Sequence, residues 1–109
     1  MNKSPINKFN VQSINPIKGV FRKTLIYNES LMLCHFTFEK NAKIPIHSHR
    51  EHQIGYLIKG QIKFLTDDNE FIAKEGDSYI FNSNEKHGAL ILEDTEIIEV
   101  FSPSRQDYI

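Results

Sequence analysis

A chain of 109 residues is long enough for one domain around one core and too short for two. Its 39% hydrophobic and 25% charged residues lie in the globular range and argue against a disordered chain or a disulfide scaffold. Thirteen basic against 14 acidic residues leave a net charge of -1, so no positive field is available to hold a phosphate backbone, and nucleic acid is not an expected partner.

The chain opens on a polar, proline-bearing stretch. Residues 1–15 read as a flexible arm ahead of a single domain over residues 16–109. The opening lacks the apolar run of a secretory signal, and no stretch approaches the roughly 20 apolar residues that span a bilayer, so the expected location is the cytoplasm, away from membranes. The one cysteine, Cys34, lies inside the apolar run LMLCHFTF and reads as a core residue in a reducing compartment.

From Gly19 onward β-branched and aromatic residues recur in short runs separated by turn formers. The predicted strands are 20–26, 31–38, 54–58, 61–66, 70–73, 78–81, 88–91 and 96–101. None is long enough for a helix, and the pattern predicts an all-β antiparallel sandwich or barrel. Strands 61–66 and 70–73 flank Asp67, Asp68 and Asn69, which predicts a tight hairpin with Asn69 near the left-handed conformation.

Five histidines carry most of the chemical information. Alternation along a strand sends His47 and His49 of the His-Ser-His triplet to one face, and Gln53 joins them if the strand runs unbroken past Arg50. His52 has the opposite parity and points away. His87, at the start of another strand beside turn residues, is the candidate fourth ligand. A His-x-His pair alone is more often an exposed pair than a metal site; the third and fourth donors raise the metal reading. His35 and His52 lack partners at suitable spacing and read as structural. Three imidazoles and an amide oxygen suit one divalent transition metal, among them Mn, Fe, Ni, Zn and Co, without choosing between them.

At these residues the chain resembles the cupin superfamily. The family's first motif, glycine, His-x-His, an acid and a second glycine, is matched in its intervals by Asn41, His47, His49, Gln53 and Gly60. Its second motif is matched by Gly76, Asn82, Asn84, His87 and Ile91. Asn at positions 41 and 84 replaces glycine, a swap compatible with positive φ. Asn82 for proline and Ile91 for asparagine are departures. The resemblance covers about residues 20–101 and implies an antiparallel double-stranded β-helix, or jelly-roll barrel.

Gln53 stands where the family commonly has Glu. A neutral amide beside three neutral imidazoles leaves the charge of a bound dication uncompensated by protein, which favours an anionic ligand. With that glutamine and the ending EVFSPSRQDYI, the chain is similar to the pectin-degradation subgroup of small single-domain cupins, which act on unsaturated monouronates. The resemblance implies that Glu99 and Arg105 are catalytic and that Phe101 and Arg105 bind substrate. The family acid is Asp, so Glu99 reaches one methylene further. Read from the residues alone, strand 96–101 places one glutamate on each face, so parity does not say whether Glu96 or Glu99 enters the barrel. Arg105 has the geometry for bidentate pairing with a substrate carboxylate, although an arginine in a C-terminal tail is more often exposed.

The expected function is a metal-dependent lyase or isomerase acting on a small anionic substrate such as an unsaturated uronate. The alternatives are a cupin dioxygenase and a non-catalytic sensor domain that binds a small molecule. A homodimer is expected, with the N-terminal arm through Ile26 adding a strand to a neighbour's sheet edge.

Overall fold

The computed structural model describes residues 2–109. Its strands are β1 (Ile14–Ile17), β2 (Val20–Tyr27), β3 (Met32–Phe38), β4 (Lys43–His47), β5 (His52–Thr66), β6 (Glu70–Lys74), β7 (Ser78–Phe81) and β8 (His87–Ser102). Two short 3-10 turns, Lys8–Asn10 and Gln106–Tyr108, are the helical elements among the described residues. None of these helices is long and apolar enough to cross a membrane.

All pairings are antiparallel, in the order β1-β2-β3-β8-β5-β6, with β4 also on β8 and β7 also on β5. The first half of β8 pairs with β4 and its second half with β3. In the same way β5 meets β7 along its first half and β6 along its second. Two long strands that each turn from one sheet into the other, paired to each other along their length, make a jelly-roll barrel. The expected all-β cupin architecture is the observed one.

Two expected breaks are bends instead. Segments 54–58 and 61–66 are one strand, β5, and segments 88–91 and 96–101 are one strand, β8. Gly60 makes the bend, with φ at 105° and the β5–β8 register shifting from Leu57 to Ile62. A Cβ at Gly60 would lie 2.3 Å from Thr95 Oγ1 and 2.5 Å from the Asp94 carbonyl, so only glycine fits. Thr95 covers backbone opened by the bend: its Oγ1 accepts from Gln61 N at 3.1 Å and donates to Glu93 O at 2.7 Å. β1 and β4 were not among the expected strands, because Pro16 and Pro45 interrupt their patterns.

The hairpin between β5 and β6 forms as expected, closed by Thr66 N to Asn69 O at 2.9 Å. Asn69, however, is not left-handed. The described non-glycine residues with positive φ are Asn41 (75°) and Asn84 (63°), the two that replace family glycines.

Cys34, Leu57, Ile62 and Ile91 are fully buried and, with Phe36, Phe38, Phe64, Phe81 and Phe101, fill the barrel. The N-terminal residues lie along β2. Asn2 Nδ2 donates to Leu25 O at 2.6 Å, Asn2 Oδ1 accepts from Tyr27 N at 3.0 Å, and Lys23 Nζ donates to Lys8 O at 2.9 Å.

Candidate functional site

His47 ends β4 and His87 begins β8, and the two are register partners across the β4–β8 ladder. Their ring centroids lie 4.5 Å apart. His49 is not on a strand: the chain leaves β4 after His47 and re-enters sheet at His52, so the expected unbroken alternation does not exist. The connecting turn instead folds His49 back, 5.7 Å from His47 and 5.1 Å from His87 between centroids. One ligand-capable atom of each of the three lies within 4.8 Å of the others.

Each imidazole is oriented by the same device. Nδ1 of His47, His49 and His87 donates to the carbonyls of Pro45 (2.8 Å), Glu51 (2.9 Å) and Glu85 (2.8 Å), which fixes the proton on Nδ1 and leaves Nε2 as the lone-pair nitrogen. Phe81 stacks flat on His87, centroids 4.3 Å and planes 4° apart. His87 Nε2 is sealed from solvent and has no hydrogen-bond partner. Burial pushes the His87 imidazole down to about 4, with His47 and His49 acting in the same direction, so it is a neutral donor at physiological pH. Burial and the Arg105 charge likewise lower His49.

Gln53, the second residue of β5, joins this group. Its amide Nε2 donates to Glu99 Oε2 at 2.6 Å, which turns Oε1 toward His49 Nε2 at 3.1 Å. Two lone-pair atoms then face each other across a contact that a shared cation would resolve. The orphaned His87 nitrogen and this acceptor pair are what a divalent metal requires, so the donor set of His47, His49, Gln53 and His87 fits one.

β8 settles which glutamate enters the barrel. Glu99 is 6% exposed and lines an internal cavity of about 190 Å³. Glu96 sits on the outer face, paired with His35 Nε2 at 2.6 Å and Lys8 Nζ at 3.3 Å. The two carboxyls diverge accordingly. The His35 hydrogen bond lowers Glu96, with Lys8 assisting, whereas burial raises Glu99 against the pull of Tyr79, Gln53 and Arg105.

Phe101 and Arg105 line the same cavity, together with His47, Gln53 and His87. Phe101 is buried, and its ring meets His49 edge-on at 5.9 Å. Arg105 is folded in rather than loose in solvent, because the chain after β8 turns back over the barrel and Arg105 lies over the Tyr108 ring at 3.9 Å. Arg22 lies over the same ring, also at 3.9 Å, so two guanidinium groups sandwich Tyr108. Six of the seven candidate residues thus line one cavity, and the seventh, His49, lies against His47, His87 and Gln53.

Residues 34–102 match the family model described as a cupin domain. The chain belongs to the cupin family. This cupin is 34% identical over 93 residues to the pectin degradation protein KdgF of Dickeya dadantii, covering 84% of each chain. An RmlC-like cupin from Shewanella frigidimarina superposes with a TM-score of 0.93 at 26% identity, over 99% of this chain and 97% of that one. KdgF from a Halomonas species superposes with a TM-score of 0.91 at 27% identity, over 97% and 100% of the two chains.

Three residues of this cupin's site escaped the sequence reading. Tyr79 donates to Glu99 Oε2 at 2.7 Å, and burial raises its phenol well above the usual range, so it stays a donor. Tyr108 and Arg22 meet only when the tail folds back onto β2. Strand parity puts Tyr79 and Phe81 on one face of β7, but nothing local says that this face is the inner one.

Proposed function

We propose that this cupin is a metal-dependent isomerase or lyase acting on an unsaturated uronate or a closely related small sugar acid. One observation carries the reading. The Glu99 carboxyl and the candidate metal donors share a side chain, Gln53, whose nitrogen holds Glu99 while its oxygen faces His49. The similarity to two proteins named KdgF, one of them described as a pectin degradation protein, supports the substrate class.

His47, His49, Gln53 and His87 would hold one divalent ion, among Mn, Fe, Ni, Zn and Co. When bound, it would supply positive charge that stabilises negative charge developing on a substrate oxygen. The neutral donor set leaves room for an anion in the cavity. Phe101 and Phe36 give that cavity apolar walls, which exclude water and strengthen its electrostatics. Arg105 supplies the guanidinium for the substrate carboxylate.

Glu99 is the proton carrier. On a cyclic unsaturated uronate, removal of the proton from the hydroxyl at the anomeric carbon forms a carbonyl there. The bond from that carbon to the ring oxygen breaks, and the electron pair passes to the ring oxygen as an enolate. Return of the proton to the enolate carbon yields an open-chain keto acid with no atom gained or lost. A carboxyl that takes and returns one proton suffices.

The test is incubation of metal-loaded protein with unsaturated monouronates, followed by loss of the enol-ether ultraviolet band and by NMR of the product. Turnover that disappears in Glu99→Gln and His47→Ala supports the reading; an unchanged substrate with every divalent metal contradicts it.

Self-association belongs to the same proposal. On the outer face Ile26, Leu33, Val100, Ile54 and Ile80 are successive register partners across β2, β3, β8, β5 and β7. Ile54, Ile80 and Val100 are 53%, 55% and 36% exposed. An aliphatic row across five strands spaced about 4.8 Å apart is unusual on a face left to water. A second copy is its natural partner, because a twofold axis at Val100 would set Leu33 on Ile54 and Ile26 on Ile80.

A further inference from the structure

Both hydrogen bonds that reach the Glu99 carboxyl land on one oxygen. Gln53 Nε2 at 2.6 Å and the Tyr79 hydroxyl at 2.7 Å both donate to Oε2. Oε1 receives none from the described residues, yet it is not among the sealed polar atoms that lack a partner, and Glu99 lines the cavity. Oε1 is therefore the oxygen presented to whatever enters.

Tyr79 reaches Glu99 across an intervening strand. The register sets Tyr79 of β7 opposite Gly55 of β5, and Gly55 opposite Glu99 of β8. A side chain at position 55 would block the way: a Cβ there would lie 2.0 Å from Tyr79 Cζ and 2.2 Å from its hydroxyl oxygen. Gly55 does not have positive φ, so its backbone conformation does not call for glycine. The passage of the tyrosine ring does.

We propose that Tyr79 and Gly55 form a positioning device that ties down one oxygen of Glu99 and commits the other to proton transfer, with Tyr79 as a positioning residue. The catalytic consequence rests on the uronate reading above; the geometry does not. A purely structural tyrosine would need the ring and not the hydroxyl, so Tyr79→Phe separates the two.

Two readouts test this. In wild-type and Tyr79→Phe protein acting on unsaturated uronate, kcat falls about tenfold while KM stays within about twofold, a modest share of what proton transfer supplies. In chelator-stripped protein carrying 13C-labelled glutamate, the Glu99 carboxyl resonance, assigned by its loss in Glu99→Gln, moves in Tyr79→Phe and in Gly55→Ala. It stays in place in Tyr56→Phe, whose hydroxyl lies on the outer face. A wild type that turns over no uronate removes the proposed function and leaves the resonance to decide the positioning. An unmoved resonance in Tyr79→Phe, or a moved one with kcat unchanged in an active enzyme, overturns the proposal while the uronate reading stands.

Discussion

Asp107 holds Arg105 by both arms, Oδ2 to Nη2 at 3.0 Å and Oδ1 to Nε at 3.3 Å. The guanidinium that would bind a substrate carboxylate thus already carries one from its own tail. Burial works against ionisation of Asp107, but the Arg105 hydrogen bond and charge outweigh it and lower its pKa. A substrate carboxylate must compete with this internal one.

That competition sets the first prediction. Asp107→Asn weakens the internal clamp and lowers KM for a uronate about threefold to tenfold with kcat little changed. Arg105→Ala removes a charged hydrogen-bonding partner, a loss of about 1.5–3 kcal/mol, and raises KM by about tenfold to a hundredfold. Steady-state kinetics of the two variants checks both.

Gln53→Glu tests why an amide stands in the donor set. It adds a negative charge beside the metal, so competition with a chelator shows tighter binding. It also removes a donor to Glu99 and sets two carboxyls where one hydrogen bond of 2.6 Å stood, so they share a proton. Turnover at neutral pH falls on the order of a hundredfold.

Cys34 gives a prediction in pH. Burial pushes its thiol up from 9 to about 11. The folded state then keeps a proton that the unfolded chain releases between those values. Fewer protons on the unfolded state mean that stability falls as pH rises through the window from 9 to about 11. Denaturant melts at stepped pH show this slope, and Cys34→Ala reduces it, most clearly below pH 10, above which the buried Tyr79 phenol adds a slope of the same sign. At pH 8 a thiol reagent reacts with the native protein no faster than the protein opens.

The outer aliphatic row predicts a dimer. Sedimentation of wild type gives twice the chain mass, and Ile54→Lys combined with Ile80→Lys gives a folded monomer, since both side chains are more than half exposed in the single chain. A wild type that sediments as a monomer at high concentration removes the dimer.

Much of the fold was legible because strands leave a local mark: alternation and turn formers located β2, β3, β6 and β7. The continuous strands β5 and β8 were not legible: in β5 a glycine that bends a strand looks the same in sequence as one that ends it, and in β8 the polar run Glu93-Asp94-Thr95 looks like a turn. At the site, His47, His49, Gln53 and His87 were picked out by the motif, and the structure brings them together, but the parity argument was wrong for His49 and Gln53, because a turn delivers the first and a separate strand the second. Asn41 and Asn84 were readable as left-handed positions. Tyr79 was not, because its contact with Glu99, two strands away, depends on an absent side chain at Gly55 on the strand between them. The same holds for Arg22 and Arg105, which meet only through Tyr108.

The metal site is tested most directly by calorimetric titration of chelator-stripped protein with divalent Mn, Fe, Co, Ni and Zn, alongside His87→Ala. The expected result is one ion per chain for at least one of these metals, with binding lost in the variant while its circular dichroism stays that of a β-barrel. A wild-type protein that takes up none of them, or a variant that binds as tightly, would contradict it.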